Sequence, residues 1–299
     1  MEPRAFDYLY YKTRGYSMEE IHQETGLSFD EIELLDNALR PLLQEIEAER
    51  PKAESIGSDF VRLSRYVYAD KSDQECGIAR PDAIKARSGE LFALPAVGKL
   101  EQGKISLVDT ITQRRSLRKY SEDSLSQEEL SWLLYCSSWA RDFRSNERME
   151  ITFRNVPSAG SRHPLETFVD IHRVSGLKSG LYYYHPIKHC LILIDESPEI
   201  QTQIFEGCFR QEMVRTSAVN FIFTAIPYRT SWRYGQRGYR YLYLDAGHVG
   251  QNLHLASEAI GCGACMIGAY LDEALNEALR IDGNEEFVIY AATIGKKPS

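Results

Sequence analysis

The sequence predicts an α+β sandwich, a sheet flanked by helices, rather than a doubly wound parallel sheet. Two observations carry this. Five short runs, Phe168–Val174, Gly180–Tyr184, Cys190–Asp195, Val219–Ile226 and Phe287–Ile294, are rich in Val, Ile, Phe and Tyr and bounded by turn residues, as strands are. Helical patterns fall between them without regular βαβ alternation.

The helices are legible by periodicity and caps. Ser126 with Glu129 makes a capping box for a helix running to about Ala140, with Leu130, Leu133 and Leu134 on its inner face. From about Tyr241 to Ile260, the residues Leu242, Ala246, Val249, Leu253, Ala256 and Ile260 form one stripe, and Gly261 is a natural stop. Gly247 and Gly250 lie beside it, where small residues permit close approach.

The first fifty residues read as a helical extension. Ser17 with Glu20 and Ser28 with Glu31 form two more capping boxes, and Gly26 sits where the first of those helices should stop. Ile32, Leu35, Leu39, Leu42 and Ile46 make a narrow apolar seam, which Pro41 should kink or split. The block resembles a helix-turn-helix, but Asp30, Glu31 and Glu33 on the element that would enter a groove repel phosphates. A packing or dimerisation appendage is expected instead, with no nucleic acid as partner. Residues 51–104, punctuated by Pro51, Pro81, Gly89, Pro95 and Gly98, read as an irregular connector wrapped on the main domain, which occupies 105–299.

Composition excludes several classes. With 299 residues, 43% hydrophobic and 26% charged, the chain is ordinary for a globular protein. A net charge of −8 argues against a polyanionic partner. No apolar run is long enough to span a membrane, and the start lacks the apolar stretch of a signal peptide, so the expected location is the cytoplasm. Six cysteines in a chain this long do not make a disulfide framework. Cys262 and Cys265 form a single C-x-x-C without the second pair a structural zinc wants, so no metal is expected.

Three clusters point toward chemistry. Arg114-Arg115-Ser116-Leu117-Arg118-Lys119-Tyr120 concentrates cations in an otherwise acidic chain, and arginines fork two donors onto phosphate oxygens. Pro157-Ser158-Ala159-Gly160-Ser161-Arg162-His163-Pro164 fixes its ends with prolines and lets backbone amides approach a flat ligand, though alone it reads equally as a surface loop. Gly261 to Tyr270 is small and apolar, suited to passing under a ring or to a core strand.

In this order and spacing the clusters resemble the nitroreductase superfamily, more closely its SagB-type branch, the dehydrogenases of thiazole- and oxazole-forming peptide biosynthesis. The resemblance covers about Ile105 to Ser299 and includes R-R-S-x-R-x-Y, P-S-A-G, the segment Tyr239 to His248 and the ending Ile294 to Pro298. It implies an FMN-binding sandwich, mainly an antiparallel sheet flanked by helices, acting as a homodimer that shares its flavin sites. Arg114, Ser116 and Arg118 match positions that hold the FMN phosphate and ribityl chain, with Arg115 in the same motif. Lys296, or Lys297, matches a cation that also meets the phosphate. Pro157, Ser158, Ala159, Gly160 and Ser161 match the loop that meets the flavin from the other subunit, and Met266, Gly268 and Ala269 the segment along its ring.

In azoline-oxidising relatives a Lys-Tyr pair precedes the long helix; the matching dipeptide here is Arg233-Tyr234. Arginine is a poor base, which puts azoline oxidation in doubt and leaves Tyr234 as the candidate acid or base. His163 and His248 read as structural. The leading expectation is an FMN-dependent dehydrogenase or reductase for a small molecule or peptide-derived heterocycle. The alternatives are a nitro or quinone reductase fed by NAD(P)H, and a non-enzymatic adaptor or regulator with a vestigial flavin site.

Overall fold

The computed structural model describes residues 3–48, 55–97, 105–147 and 150–298. The chain divides into two compact units, one of Met1–Ala79 with Ser231–Arg240 and one of Arg80–Thr230 with Tyr241–Ser299.

The first unit is built on helices α1 (Pro3–Lys12), α2 (Met18–Thr25), α3 (Phe29–Ala48) and α4 (Ile56–Leu63). Both expected capping boxes form: Glu20 N–H donates to Ser17 Oγ and Ser17 N–H to Glu20, and Ser28 and Glu31 exchange the same pair. Gly26 ends α2 with φ 70°, a left-handed turn glycine adopts without strain. Ile32, Leu35, Leu39 and Leu42 pack with Tyr8, Leu9, Ile21 and Leu27; the side chain of Ile46 lies outside the described residues. Pro41 does not split α3. It sits on the exposed face, where water can serve the carbonyl that its missing N–H leaves unpaired. In the segment read as irregular, α4 and a 3-10 turn at Tyr66–Tyr68 form. Eight residues with a glycine in second place are too short to show a period. Pro51 and Gly98 lie outside the described residues.

The second unit holds a seven-stranded antiparallel sheet. Its strands are β1 (Leu91–Ala93), β4 (Leu165–Ile171), β5 (Gly180–His185), β6 (Cys190–Asp195), β7 (Val219–Ala225), β8 (Cys262–Ile267) and β9 (Phe287–Lys296), in the order β1-β6-β5-β4-β7-β9-β8. A separate hairpin pairs β2 (Ala140–Ser145) with β3 (Glu150–Arg154). Helices α5 (Leu107–Gln113), α6 (Gln127–Ser137), α7 (Pro198–Gly207), α8 (Glu212–Thr216), α9 (Tyr228–Tyr234), α10 (Gly238–Ala259) and α11 (Asp272–Ala278) complete the chain. The α+β class is as expected.

The five expected strands exist, Cys190–Asp195 with the expected bounds and the other four with shifted ends. The first begins at Leu165 and stops at Ile171, because His172 and Arg173 both turn their amides onto the Ala218 carbonyl. The helix expected to reach Ala140 ends at Ser137, and Ala140 opens β2. β7 is buried along its whole length; each of Phe221 and Phe223 contributes about 1.5–3 kcal/mol by leaving water. Buried Glu286 accepts from Lys85, Arg87 and Thr224, which fastens residues 80–97 to the start of β9. The α10 stripe is buried as its spacing predicts, and Gly250 lets the helix settle against Met266 and Tyr290.

Candidate functional site

The arginine-rich segment leaves α5 and lies across the end of the sheet. Arg115 turns back: its Nη1 donates to the carbonyls of Thr112 and Arg114, both at 2.8 Å, where a cation complements the helix C-terminus. Ser116 forms a parallel bridge with Ala264 of β8, and Leu117 N–H donates to the Ala264 carbonyl at 3.0 Å. Tyr120 Oη donates to Leu117 O at 2.6 Å and lies 2.7 Å from Thr293 Oγ1; Ser121 N–H donates to Lys296 O.

The segment can lie this close because Gly263 and Gly295 face each other across β8 and β9. A Cβ at Gly263 would come within 2.3 Å of Leu117, and one at Gly295 within 2.7 Å of the Tyr120 ring. The first and third clusters of the sequence are thus one structural unit. Arg118 is exposed beside Cys265, whose thiol pKa burial raises while the Arg118 charge and hydrogen bond oppose the rise. Arg114 is half-buried near His254, whose pKa burial lowers and the Arg114 charge lowers further. The Nδ1 of His254 is buried without a partner.

The C-terminal cations are engaged. Lys296 pairs with buried Glu129, and Lys297 with buried Glu258. Burial works against the Lys296 charge, but Glu129, with Cys262 and Asp123 adding to it, holds the ammonium above its usual pKa. Among the described residues, Arg114, Arg118 and Lys119 of the segment make no ion pair.

The P-S-A-G loop closes on itself. A 3-10 turn at Ala159–Ser161 is followed by Arg162 and His163, with Gly160, Ser161 and His163 at φ 57°, 52° and 44°. Two non-glycine residues in this region hold strain that the surroundings must enforce. Ser158 Oγ accepts from His163 N–H at 2.9 Å, and Asp245 on α10 lies beside Ser158 and Ala159. Burial pushes Asp245 up to about 6, the polar groups of Ser158 and Ala159 opposing it. Asp245 therefore faces the loop from α10, a placement its spacing did not disclose.

Behind the loop lies a buried charge cluster that sequence reasoning missed. Arg154 ends β3, Glu166 sits on β4, and Arg162 and Arg229 complete the cluster; all are buried. Arg229 pairs with Glu166, which also accepts from Tyr183 Oη at 2.5 Å, while Arg154 Nη1 donates to Leu165 O at 2.8 Å. His163, buried among three arginines, is driven down to about 2 and stays neutral. Part of its signal was present: Glu166 is a charge in a strand with Leu165, Phe168, Val169 and Ile171, and a charge there asks for a partner.

Met266 is half-buried on β8 against Gly250; Gly268 and Ala269 follow, exposed, with Ala269 O accepting from Gln211 at 3.0 Å. Cys262 and Cys265, an odd number of residues apart on one strand, point to opposite faces and are both free. Among the described residues no group of His, Cys, Asp and Glu could hold a metal ion, and no helix is long and apolar enough to cross a membrane.

Arg233 and Tyr234 end α9 in the first unit, with the Arg233 guanidinium 5.5 Å from the Tyr234 ring centre. Tyr234 lines a cavity of about 360 Å³ with Tyr68, Asp70 and three cations, Arg65, Lys71 and Arg237. Lys71 also pairs with Glu20, and Arg237 donates to Ser64 O at 3.0 Å.

An antiparallel sheet with a long glycine-bearing helix, a strand crossed by an arginine-serine segment and a strained P-S-A-G loop defines the nitroreductase class of fold. The chain belongs to the nitroreductase family, whose model matches residues 111–296. It is similar to a protein of Methanocaldococcus jannaschii assigned as a nitroreductase, 32% identical over 195 residues, 65% of this chain and 92% of the other. It is also similar to the trifolitoxin-processing protein TfxB of Rhizobium leguminosarum bv. trifolii, 31% identical over 110 residues, 36% of this chain and 30% of the other. That likeness lies on the SagB-type side of the family, as the motifs suggest. Among solved structures, a protein of Ralstonia eutropha assigned as a nitroreductase shares the fold, with TM-score 0.57 at 22% identity, covering 74% of this chain and 95% of that one.

Proposed function

We propose that this nitroreductase-family oxidoreductase uses FMN, acts as a homodimer with shared flavin sites, and exchanges hydride with a small molecule or a peptide-derived heterocycle. The observation that carries the reading is the Arg114–Arg118 segment laid across Gly263. It carries half-buried Arg114, exposed Ser116 and exposed Arg118 within five residues alongside β8, the kind of donor set a phosphate monoester takes. His254 Nδ1, buried without a partner near Arg114, fits the same role. Members of the family generally bind FMN.

Bound there, FMN would supply the hydride chemistry, and the chain would supply position and electrostatics. Arg114, Ser116 and Arg118 would hold the phosphate and ribityl chain, with Lys296 joining if it exchanges Glu129 for the phosphate. Met266, Gly268 and Ala269 would run along the ring. Pro157–Ser161, with Asp245 beside them, would meet it from the partner subunit.

The family is typically dimeric. Leu107, Val108 and Ile111 on α5 are 66%, 72% and 53% exposed, and Tyr243 and Leu244 on α10 are both 58% exposed. Such apolar surface suits a second copy of the chain. The likeness to a trifolitoxin-processing protein favours a peptide-derived substrate.

The test is the absorption spectrum of the purified protein, with FMN expected near one per subunit. Charge-assisted contacts are worth roughly 1.5–3 kcal/mol, so Arg118→Ala should weaken FMN binding by about tenfold or more. Unchanged affinity would overturn the assignment. Diluting the dimer until it dissociates should release the flavin.

The likeness to the M. jannaschii protein supports a second reading, a nitro or quinone reductase fed by NAD(P)H. Rapid anaerobic bleaching of the flavin by NADH or NADPH would favour it.

A further inference from the structure

Helix α4 is inverted for a helix at a protein surface. Its buried residue is a carboxylate, Asp59, which accepts from Ser55 N–H and from Arg62. Its apolar side chains face out. Ile56 is 93% and Val61 52% exposed, and Phe60 is exposed with them. On the turn that follows, Tyr66 is exposed and Val67 is 67% exposed. A Cβ on Gly57 would meet nothing within 4 Å. Apolar side chains gathered in this way, with polar groups around them, mark a place where another molecule binds.

Cations rim the face. Arg240 Nε donates to Ser64 Oγ at 2.7 Å, with its guanidinium 6.0 Å from the Phe60 ring centre. Arg237 donates to Ser64 O at 3.0 Å, with its guanidinium 4.2 Å from the Tyr66 ring centre. Where α4 ends, Leu63 and Ser64 open the cavity of about 360 Å³ that Arg65, Lys71 and Arg237 also line. Acids answer part of this charge. Arg62 pairs with Asp59, and Lys71 with Glu20. Asp70, on the cavity wall, offsets one of the three cations that remain, Arg65, Arg237 and Arg240. The balance is positive, and exposed Arg65 makes no ion pair among the described residues.

We propose that α4 and the turn after it are a docking surface for an acidic amphipathic helix of another polypeptide. Its apolar stripe would lie on Ile56, Phe60, Val61 and Val67, and its carboxylates would meet Arg65, Arg237 and Arg240, with one acidic side chain entering the cavity. A second copy of this chain fits less well, because a symmetric contact sets these cations against themselves. An anionic membrane also fits less well: it repels a chain of net charge −8, and a flat surface has nothing to place in a cavity. The surface lies wholly within the first unit and stands apart from the flavin reading.

The probe is a fluorescein-labelled peptide of about 14 residues, some four helical turns, with leucine at every third or fourth position and glutamate between. Its counterpart keeps the leucines and carries lysine for every glutamate. Anisotropy on the full-length protein should show the acidic peptide bound and the basic one held about tenfold more weakly or not at all. Ile56→Asp alters a side chain that is almost wholly in water, so the melting temperature should hold while the acidic peptide weakens about tenfold or more. Arg65→Glu should weaken the acidic peptide and strengthen the basic one. Failure of the acidic peptide to bind overturns the proposal, as does equal binding of the two peptides or binding that neither variant disturbs. Sedimentation of the protein with phosphatidylglycerol vesicles, abolished by Ile56→Asp, would overturn it in favour of a membrane face. A dimer that Ile56→Asp splits, by light scattering, would overturn it in favour of a contact between copies.

Discussion

Leu117 rests on the α-carbon of Gly263: a methyl group there would lie 2.3 Å from its Cδ2 and 2.7 Å from its Cβ. The Cδ2 contact could be relieved by a rotamer change, but the Cβ contact moves only with the backbone. Gly263→Ala should therefore lift the arginine segment off β8. The expected cost is about 1–3 kcal/mol of stability, as for overpacked cores, together with weaker FMN binding. Gly57→Ala, where nothing lies within 4 Å, is the control and should leave both unchanged or slightly improved. Chemical denaturation and FMN titration of the two variants decide it. Unaltered FMN affinity in Gly263→Ala would mean that the segment's placement does not set the site.

How much of this was legible beforehand follows from what each feature depends on. The capping boxes at Ser17, Ser28 and Ser126 involve neighbours in sequence, so their spacing was enough. The α10 stripe shows because one face of a helix repeats every three or four residues. Arg114 and Arg118 stood out by charge, but only the register of β8 and β9 explains why the segment sits where it does. The approach of Asp245 to Ser158 and the Arg154–Glu166–Arg229 cluster join residues 12 to 87 positions apart in sequence, and no local pattern carries such pairings. Pro41 misled because propensity weighs the missing N–H and not the exposed face on which it falls.

Asp245 makes a pH prediction. Its folded pKa is raised, so its contribution to stability is fully present below the unfolded value near 3.8 and is lost as pH rises through about 6. A rise from 3.8 to about 6 corresponds to at most about 3 kcal/mol at neutral pH. An asparagine keeps the shape and a carbonyl oxygen beside Ser158 and Ala159 without that penalty. Asp245→Asn should melt higher than the parent at pH 7.5 and no higher at pH 4. His163 acts oppositely: its contribution is present above 6.5 and lost as pH falls toward 2, so both proteins keep an acid limb. A melting difference that stays constant from pH 4 to 8 would refute the assignment.

Cys262 and Cys265 make a prediction about redox chemistry. They face opposite sides of β8, and burial pushes the Cys262 thiol up to about 12 and raises that of Cys265. Neither geometry nor thiolate population suits a redox pair. The Cys262→Ala, Cys265→Ala double variant should retain FMN and most of its turnover, with a loss in stability from two small cavities. Flavin that stays bound but can no longer be reduced would show that the pair takes part.

Arg233 and Tyr234 carry the last prediction. Oxidation of an azoline needs a base beside the carbon that gives up hydride, and a guanidinium offers essentially no neutral form near pH 7. The Arg233 guanidinium lies 5.5 Å from the Tyr234 ring centre, within reach of a cation–π contact. Tyr234 itself lines a cavity whose cations are Arg65, Lys71 and Arg237. If a substrate anion enters beside those cations, the Tyr234 hydroxyl is the group able to pass it a proton. Arg233→Lys should chiefly raise KM for an anionic substrate and leave kcat within about threefold, because charge is kept while the planar contact is lost. Tyr234→Phe keeps the ring and removes the proton, so kcat should fall by about 10²-fold or more with little change in KM. Steady-state kinetics on whichever substrate turns over, with thiazoline and oxazoline peptides in the screen, decides between these roles. A Tyr234→Phe enzyme with undiminished kcat would make the tyrosine structural. Efficient oxidation of azoline peptides by the unaltered protein would show that the base lies elsewhere and that Arg233 is no obstacle to it.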